Sequence, residues 1–115
     1  MQIGILITAA ATPAAASDLL GRIDTLLRPA SHTLYRIFLY GDAVHLARAS
    51  QDTMWDSCRR LGQTYAGRIS VCAAAAQRRG VVSDDNRVLA DGFTLTGLGD
   101  WVDMVANCDH IAHIP

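Results

Sequence analysis

The sequence contains no lysine and no glutamate. All ten basic residues are arginine, and all eleven acidic residues are aspartate. The absence of lysine excludes Schiff-base chemistry and a Walker-type phosphate lysine. The absence of glutamate excludes a glutamate general acid. The side chains that remain for catalysis are those of Cys, His, Asp, Arg, Ser, Thr and Tyr.

Charge is scarce as well. Charged residues make up 18% of the chain, and the net charge is -1 at pH 7. The chain therefore lacks the positive excess that is typical of proteins that bind nucleic acid directly. No apolar run approaches the roughly 20 residues of a membrane span. We expect no direct nucleic-acid ligand and no membrane association, and the 115 residues predict one globular domain over 1–115.

Cysteine is limited to Cys58, Cys72 and Cys108. This set has neither the CxxC pairs of a metal ribbon nor the density of a disulfide-stapled secreted domain. Reduced thiols in the cytoplasm are the prediction. The apolar stretch 3–11 and the alanines at 14–16 share features with an export signal, but no basic residue precedes them. A buried first strand explains the same residues with fewer assumptions.

Apolar runs and helical patterns alternate along the chain. The predicted strands are residues 3–7, 32–40, 68–72, 93–96 and 109–114, and the predicted helices are 14–27, 43–49, 53–65, 73–79 and 99–106. This alternation predicts an α/β fold, a three-layer α/β/α sandwich of flavodoxin-like architecture with a mostly parallel sheet of about five strands. In such folds, functional residues lie in the loops beyond the carboxyl ends of the strands. In this chain those loops are 8–13, 41–45, Cys72 with its following helix, and 96–100.

Cys72 is the strongest candidate for chemistry because it lies where an apolar strand gives way to an alanine-rich helix. Unpaired backbone N–H groups at the start of that helix are expected to favour its thiolate. Arg78 and Arg79 lie near the other end of the helix, where they would bind an incoming anion or a partner carboxylate. The alternative is that Cys72 packs in the core as a small apolar side chain.

The other two cysteines have simpler interpretations. Cys58 falls on the apolar side of a predicted helix beside Trp55, which predicts packing. Cys108 precedes His110 and His113, and cysteine and histidine are both common zinc ligands. Strand alternation places His113 on the face opposite to the other two, so we predict no metal site.

Three segments together resemble one known family. They are RIFLYGDAVHLA at 36–47, VCAAAAQRRGV at 71–81 and GFTLTGLGDWVD at 92–103. They resemble the DsrE/TusD family of sulfur-relay proteins, and the resemblance spans nearly the whole chain. It implies a small α/β/α sandwich in which Cys72 carries sulfane sulfur as a persulfide. The segment 81–91, VVSDDNRVLAD, is shorter than the acidic loop of that family.

The resemblance also implies partners. Family members work as cytoplasmic hexamers, often of related subunits, and pass sulfur from an upstream protein persulfide donor to a small carrier protein with its own cysteine. The pathway, tRNA thiolation or sulfur oxidation, stays open. No cofactor is expected. Trp101, Val102 and Val105 are expected to be exposed on a late helix and to be buried between subunits.

The expected neighbours of the active sulfur are Ala73, Ala74, His45 and Gly97. His45 follows the second strand and could hydrogen-bond the persulfide, or it could be an ordinary residue at a helix start. Gly97 is expected to allow a tight entry into the next helix. Two other functions compete with the sulfurtransferase hypothesis. One is a non-catalytic assembly subunit. The other is a small-molecule or flavin-binding module, which the lack of a phosphate-cradling loop after the first strand disfavours.

Overall fold

The computed structural model describes residues 1–9 and 12–115 of the chain. Within these residues, five strands and four α-helices alternate, and two 3-10 segments, Gly41–Ala47 and Thr53–Trp55, stand between the second strand and the second helix. The strands are β1 (Gln2–Ile7), β2 (Thr33–Leu39), β3 (Ile69–Cys72), β4 (Phe93–Thr96) and β5 (His110–Ile114). The α-helices are α1 (Pro13–Leu27), α2 (Asp56–Thr64), α3 (Ala73–Arg78) and α4 (Gly99–Asn107).

The strands form one parallel sheet in the order β4-β3-β2-β1-β5. Helices lie on both sides of this sheet, and the predicted fold class is confirmed. Burial on both faces explains why β1 and β3 are mostly apolar. All four residues of β3 are buried, which places Cys72 at the end of a strand in the interior of the sheet.

Alternate residues of the strands face different helices. Gly4 of β1 faces α4 so closely that a methyl group there would lie 2.8 Å from Cε of Met104. Phe38 of β2 packs on Trp101 of α4 on the same face, with ring centroids 6.3 Å apart. Ile3 and Ile5 alternate with Gly4 and are buried in the core.

The predicted elements agree with the structure to within a few residues, except after β2. The helix predicted at 43–49 is a 3-10 segment that begins at Gly41, where φ is +61°. The left-handed conformation of Gly41 ends the strand and starts a turn. The hydrogen bonds that follow join residues three apart, as in a 3-10 helix. The helix predicted at 53–65 likewise begins with a 3-10 turn before α2.

Of the three residues of α4 that were predicted to be exposed, Trp101, Val102 and Val105, two are exposed. Val102 and Val105 are 64% and 53% exposed. Trp101 is half-buried because its ring packs on Phe38, so the expectation that it lies exposed is wrong. Within the described residues, no helix combines the length and the apolar character needed to cross a membrane.

Candidate functional site

Cys72 is the last residue of β3 and directly precedes the first turn of α3. Its backbone is still extended, with φ -62° and ψ 115°, and its side chain makes no capping hydrogen bond to the helix. Across the sheet it pairs with Thr96, whose hydroxyl oxygen is buried without a partner among the described residues. The residue is 2% exposed, so a reagent can reach its sulfur only through a cavity.

Such a cavity of about 130 Å³ lies at the carboxyl edge of the sheet. Its lining comes from the end of β2, from the β3–α3 junction with α3, and from the loop after β4: Tyr40, Gly41, Cys72, Ala74, Ala75, Arg78, Arg79 and Leu98. Three of the four predicted functional loops therefore meet here. The fourth, 8–13, includes residues 10 and 11, which lie outside the described residues.

Arg78, the last residue of α3, and Arg79, which follows it as the C-cap, line the same cavity as Cys72. The sequence predicts that they lie at the far end of the helix from Cys72. Because α3 has only six residues, that far end is less than two helical turns from Cys72. Arg79 Nε donates a hydrogen bond to Oδ1 of Asp42 at 2.8 Å. This hydrogen bond, together with the charge of Arg79, lowers the pKa of Asp42. Arg79 therefore ties α3 to the 3-10 segment after β2.

Of the other predicted neighbours, Ala74 alone belongs to the described cavity lining. Ala74 is exposed and lines the cavity, whereas Ala73 is half-buried and does not. Gly97 is exposed and accepts a backbone hydrogen bond from Asp100 at 3.3 Å, and it is the next residue, Leu98, that reaches the cavity. His45 is half-buried outside the lining, and its Nδ1 is 3.1 Å from Nη2 of Arg48, the hydrogen-bond donor.

Sequence reasoning missed Tyr40 and Leu98. Both are exposed, at 43% and 55%, and both also line a second, apolar cavity of about 300 Å³ with Leu6, Phe38 and Trp101. The two cavities thus share one wall. The available signal was position alone, because each residue lies one or two places beyond a strand end.

A polar network lies under α4 on the face that carries Cys72. Ser70, fully buried in β3, donates a hydrogen bond to Oδ2 of Asp100 at 2.7 Å. Arg36 Nη1 donates to Ser70 Oγ at 2.8 Å and lies 3.6 Å from the same carboxylate. Since Asp100 is in the first turn of α4, the network fixes the start of that helix, and with it Leu98, relative to β3.

The loop 81–91 contributes nothing to the cavity lining that the structure describes. It packs elsewhere: Ala90 N–H donates to the carbonyl of Ala47 at 2.9 Å, and Gln77 Nε2 donates to Oδ1 of Asp84 at 2.7 Å. The loop therefore contributes to the surface beside α3 and to none of the described cavity wall.

The remaining cysteines lie in different surroundings. Cys58 is 1% exposed in the core, which confirms the packing prediction, and burial raises its pKa to about 11. Cys108 is half-buried, and its pKa is raised by burial and by the carboxylates of Asp103 and Asp109. In the part of the chain that the structure describes, no three His, Cys or Asp side chains are grouped as metal ligands.

Comparisons with known proteins show which family the chain resembles over its length. The DsrE/DsrF-like family matches residues 1–112. The sulfurtransferase TusD of Salmonella arizonae is 29% identical, over 96% of this chain and 98% of its own. The sulfurtransferase TusD of Sodalis glossinidius is 35% identical, over 68% of this chain and 71% of its own.

A solved structure, that of the ychN protein from E. coli, superposes with a TM-score of 0.70 over 99% of this chain and 100% of that protein. Its sequence identity is 16%, so this likeness concerns the fold. The two curated relatives are named sulfurtransferases, which supports the predicted sulfurtransferase activity. The match over nearly its full length means that the chain belongs to the DsrE/DsrF-like family.

Proposed function

We propose that this chain is a sulfur-relay subunit in which Cys72 accepts a sulfane sulfur as a persulfide and passes it to the cysteine of a carrier protein. The observation that carries the proposal is the cavity at the carboxyl edge of the sheet, which Cys72 lines together with two arginines. Cys58 and Cys108 do not line it, and burial raises the pKa of both thiols.

Two exchanges of the same kind make up the relay. The Cys72 thiolate attacks the outer sulfur of a donor protein persulfide, the sulfur–sulfur bond of the donor breaks, and the donor thiolate leaves with the electron pair. The carrier thiolate then attacks the outer sulfur on Cys72, and Cys72 leaves as a thiolate. Each step forms one bond between sulfur atoms and breaks one.

The surroundings of Cys72 suit an anionic persulfide. The first-turn N–H groups of α3 have no partners within the helix and follow Cys72 directly. Arg78 and Arg79 bring positive charge to the cavity wall. Ala74, also on the wall, is small and leaves room for the second sulfur atom.

Intact-protein mass spectrometry tests the proposal. After incubation with polysulfide, the protein is expected to gain one sulfur mass, which a reductant removes. Cys72→Ser should gain none, whereas Cys108→Ser should gain as much as the original protein. If no sulfur is found on Cys72, the chain is a non-catalytic assembly subunit instead.

The same proposal includes an assembly, a hexamer of this chain alone or with related subunits. Its support is the exposed apolar surface of α4 and the preceding turn, formed by Leu98, Val102 and Val105. Exposed apolar positions that are adjacent in this way are typical of subunit contacts.

Sedimentation velocity at micromolar concentration is expected to show an oligomer. Val102→Asp should shift it to the monomer, because a charge would be buried without a partner in the contact. Val88→Asp is the matched control, since Val88 is 63% exposed in the loop 81–91. A monomer for the unchanged protein, or equal effects of the two substitutions, contradicts the proposed assembly.

A further inference from the structure

The lining of the Cys72 cavity, as far as the structure describes it, includes two arginines and no aspartate. Arg78 is exposed and has no carboxylate partner among the residues that the structure describes. Arg79 is bound through Nε to Asp42, which leaves its two terminal amino groups as further donors. Guanidinium groups pair with oxyanions through parallel N–H donors, so this wall is suited to the oxygens of a small anion.

The size of the cavity restricts what can enter. Its volume of about 130 Å³ is close to that of an engineered cavity of about 150 Å³ that binds benzene. Because Cys72 is 2% exposed, a sulfur donor must place its reactive sulfur inside this space. A small anion with sulfane sulfur at one end and oxygens at the other matches both the nucleophile and the arginines.

We propose that the cavity binds thiosulfate and that Cys72 takes the outer sulfur of this anion directly. The inference rests on the proposed function, in which Cys72 accepts sulfane sulfur, and it adds an inorganic donor to the protein persulfide donor. Arg78 and Arg79 hold the sulfonate oxygens, so that the outer sulfur faces Cys72.

The transfer balances in atoms and charge. The Cys72 thiolate attacks the outer sulfur of thiosulfate, a new sulfur–sulfur bond forms, and the bond between the two thiosulfate sulfurs breaks. Sulfite leaves with the electron pair as a dianion, and Cys72 holds the outer sulfur as an anionic persulfide. A carrier thiolate then removes that sulfur and regenerates the Cys72 thiolate.

Asp42 reduces the positive charge on the cavity wall because it forms an ion pair with Arg79. Its carboxylate accepts the hydrogen bond from Arg79 and lies outside the cavity lining. The ion pair offsets part of the Arg79 charge, whereas the charge of Arg78 is not offset in this way. We therefore expect Arg78→Ala to weaken thiosulfate use and Asp42→Asn to strengthen it.

The experiment measures sulfite release and the mass gain of the full chain with thiosulfate below saturation. The loading rate is expected to fall about tenfold in Arg78→Ala, the loss of one hydrogen bond to a charged group. Arg78→Lys should recover part of that rate because it keeps the charge without the fork of donors. Arg60→Ala removes an exposed arginine of α2 and should leave the rate unchanged.

Polysulfide, which lacks sulfonate oxygens, separates this inference from the proposed function. Loading by polysulfide without loading by thiosulfate overturns the thiosulfate inference and leaves the proposed function standing. Loading by neither overturns the proposed function. If Arg78→Ala and Arg60→Ala change the rate of loading by thiosulfate equally, the anion does not bind in this cavity.

Discussion

Iodoacetamide is expected to alkylate Cys72 in the folded protein at least about 100-fold faster than Cys58. The thiolate is the species that reacts, and burial raises the pKa of Cys58 to about 11. Against the reference thiol pKa of 9.0, this lowers the thiolate fraction at neutral pH by about 100-fold. Both side chains are buried in the core, at 1% and 2% exposure, but only Cys72 borders a described cavity whose wall includes the exposed residues Ala74 and Arg78.

Cys108 is expected to react more slowly than Cys72 as well. It is half-buried, and burial together with the carboxylates of Asp103 and Asp109 raises its pKa. A time course of labelled peptides at neutral pH measures all three cysteines in one sample. Labelling in denaturant is the control, since the three thiols should then react at similar rates. If Cys58 or Cys108 is labelled first in the folded state, Cys72 is not the reactive thiol of this chain.

The order of the elements could be predicted because each strand carries its own signal. Residues 3–7 form a short apolar run and 68–72 carry apolar residues at three of five positions, as is typical of strands buried on both faces of a parallel sheet. The helices were set by apolar spacing and by the breaks that follow them, such as Pro29 after α1 and Gly80 after α3. These are local properties, so a single sequence contains them.

The candidate site depended on contacts between residues that are distant in sequence. Cys72 could be singled out from its place between a strand and a helix. That Arg79 bonds Asp42, 37 positions earlier, follows from the packing of α3 against the segment after β2. That Ser70 bonds Asp100, 30 positions later, follows from the packing of α4 on β3. No spacing in the sequence reports such pairs, and for the same reason Leu98 was missed while its neighbour Gly97 was named.

Gly92→Ala is expected to cost about 4 kcal/mol or more of folding free energy, a large part of the stability of a domain of this size. Gly92 has φ +94°, which L residues rarely adopt. A Cβ there would also lie 2.0 Å from the carbonyl oxygen of Gly62 in α2. This contact is between two backbones, so no side-chain rotation relieves it, and α2 and the chain entering β4 must move apart.

Gly67→Ala is the matched control. Gly67 has φ +80°, but a Cβ there would meet no atom within 4 Å. The folding free energy of Gly67→Ala should fall only by the cost of the left-handed conformation, about 1–2 kcal/mol. Urea unfolding followed by circular dichroism measures both losses. Equal losses would mean that conformation alone explains the effect and that the close approach of Gly92 to Gly62 does not limit the fold.

The same substitution connects the fold to the site. Gly92 leads into β4, an edge strand that pairs with β3 as far as Cys72 and Thr96. The chain after β4 places Leu98 on the wall of the Cys72 cavity. If Gly92→Ala pushes the start of β4 away from α2, that wall shifts with the strand. In conditions where the variant is still folded, we therefore expect its Cys72 to lose selectivity in alkylation, a change that Gly67→Ala should not produce.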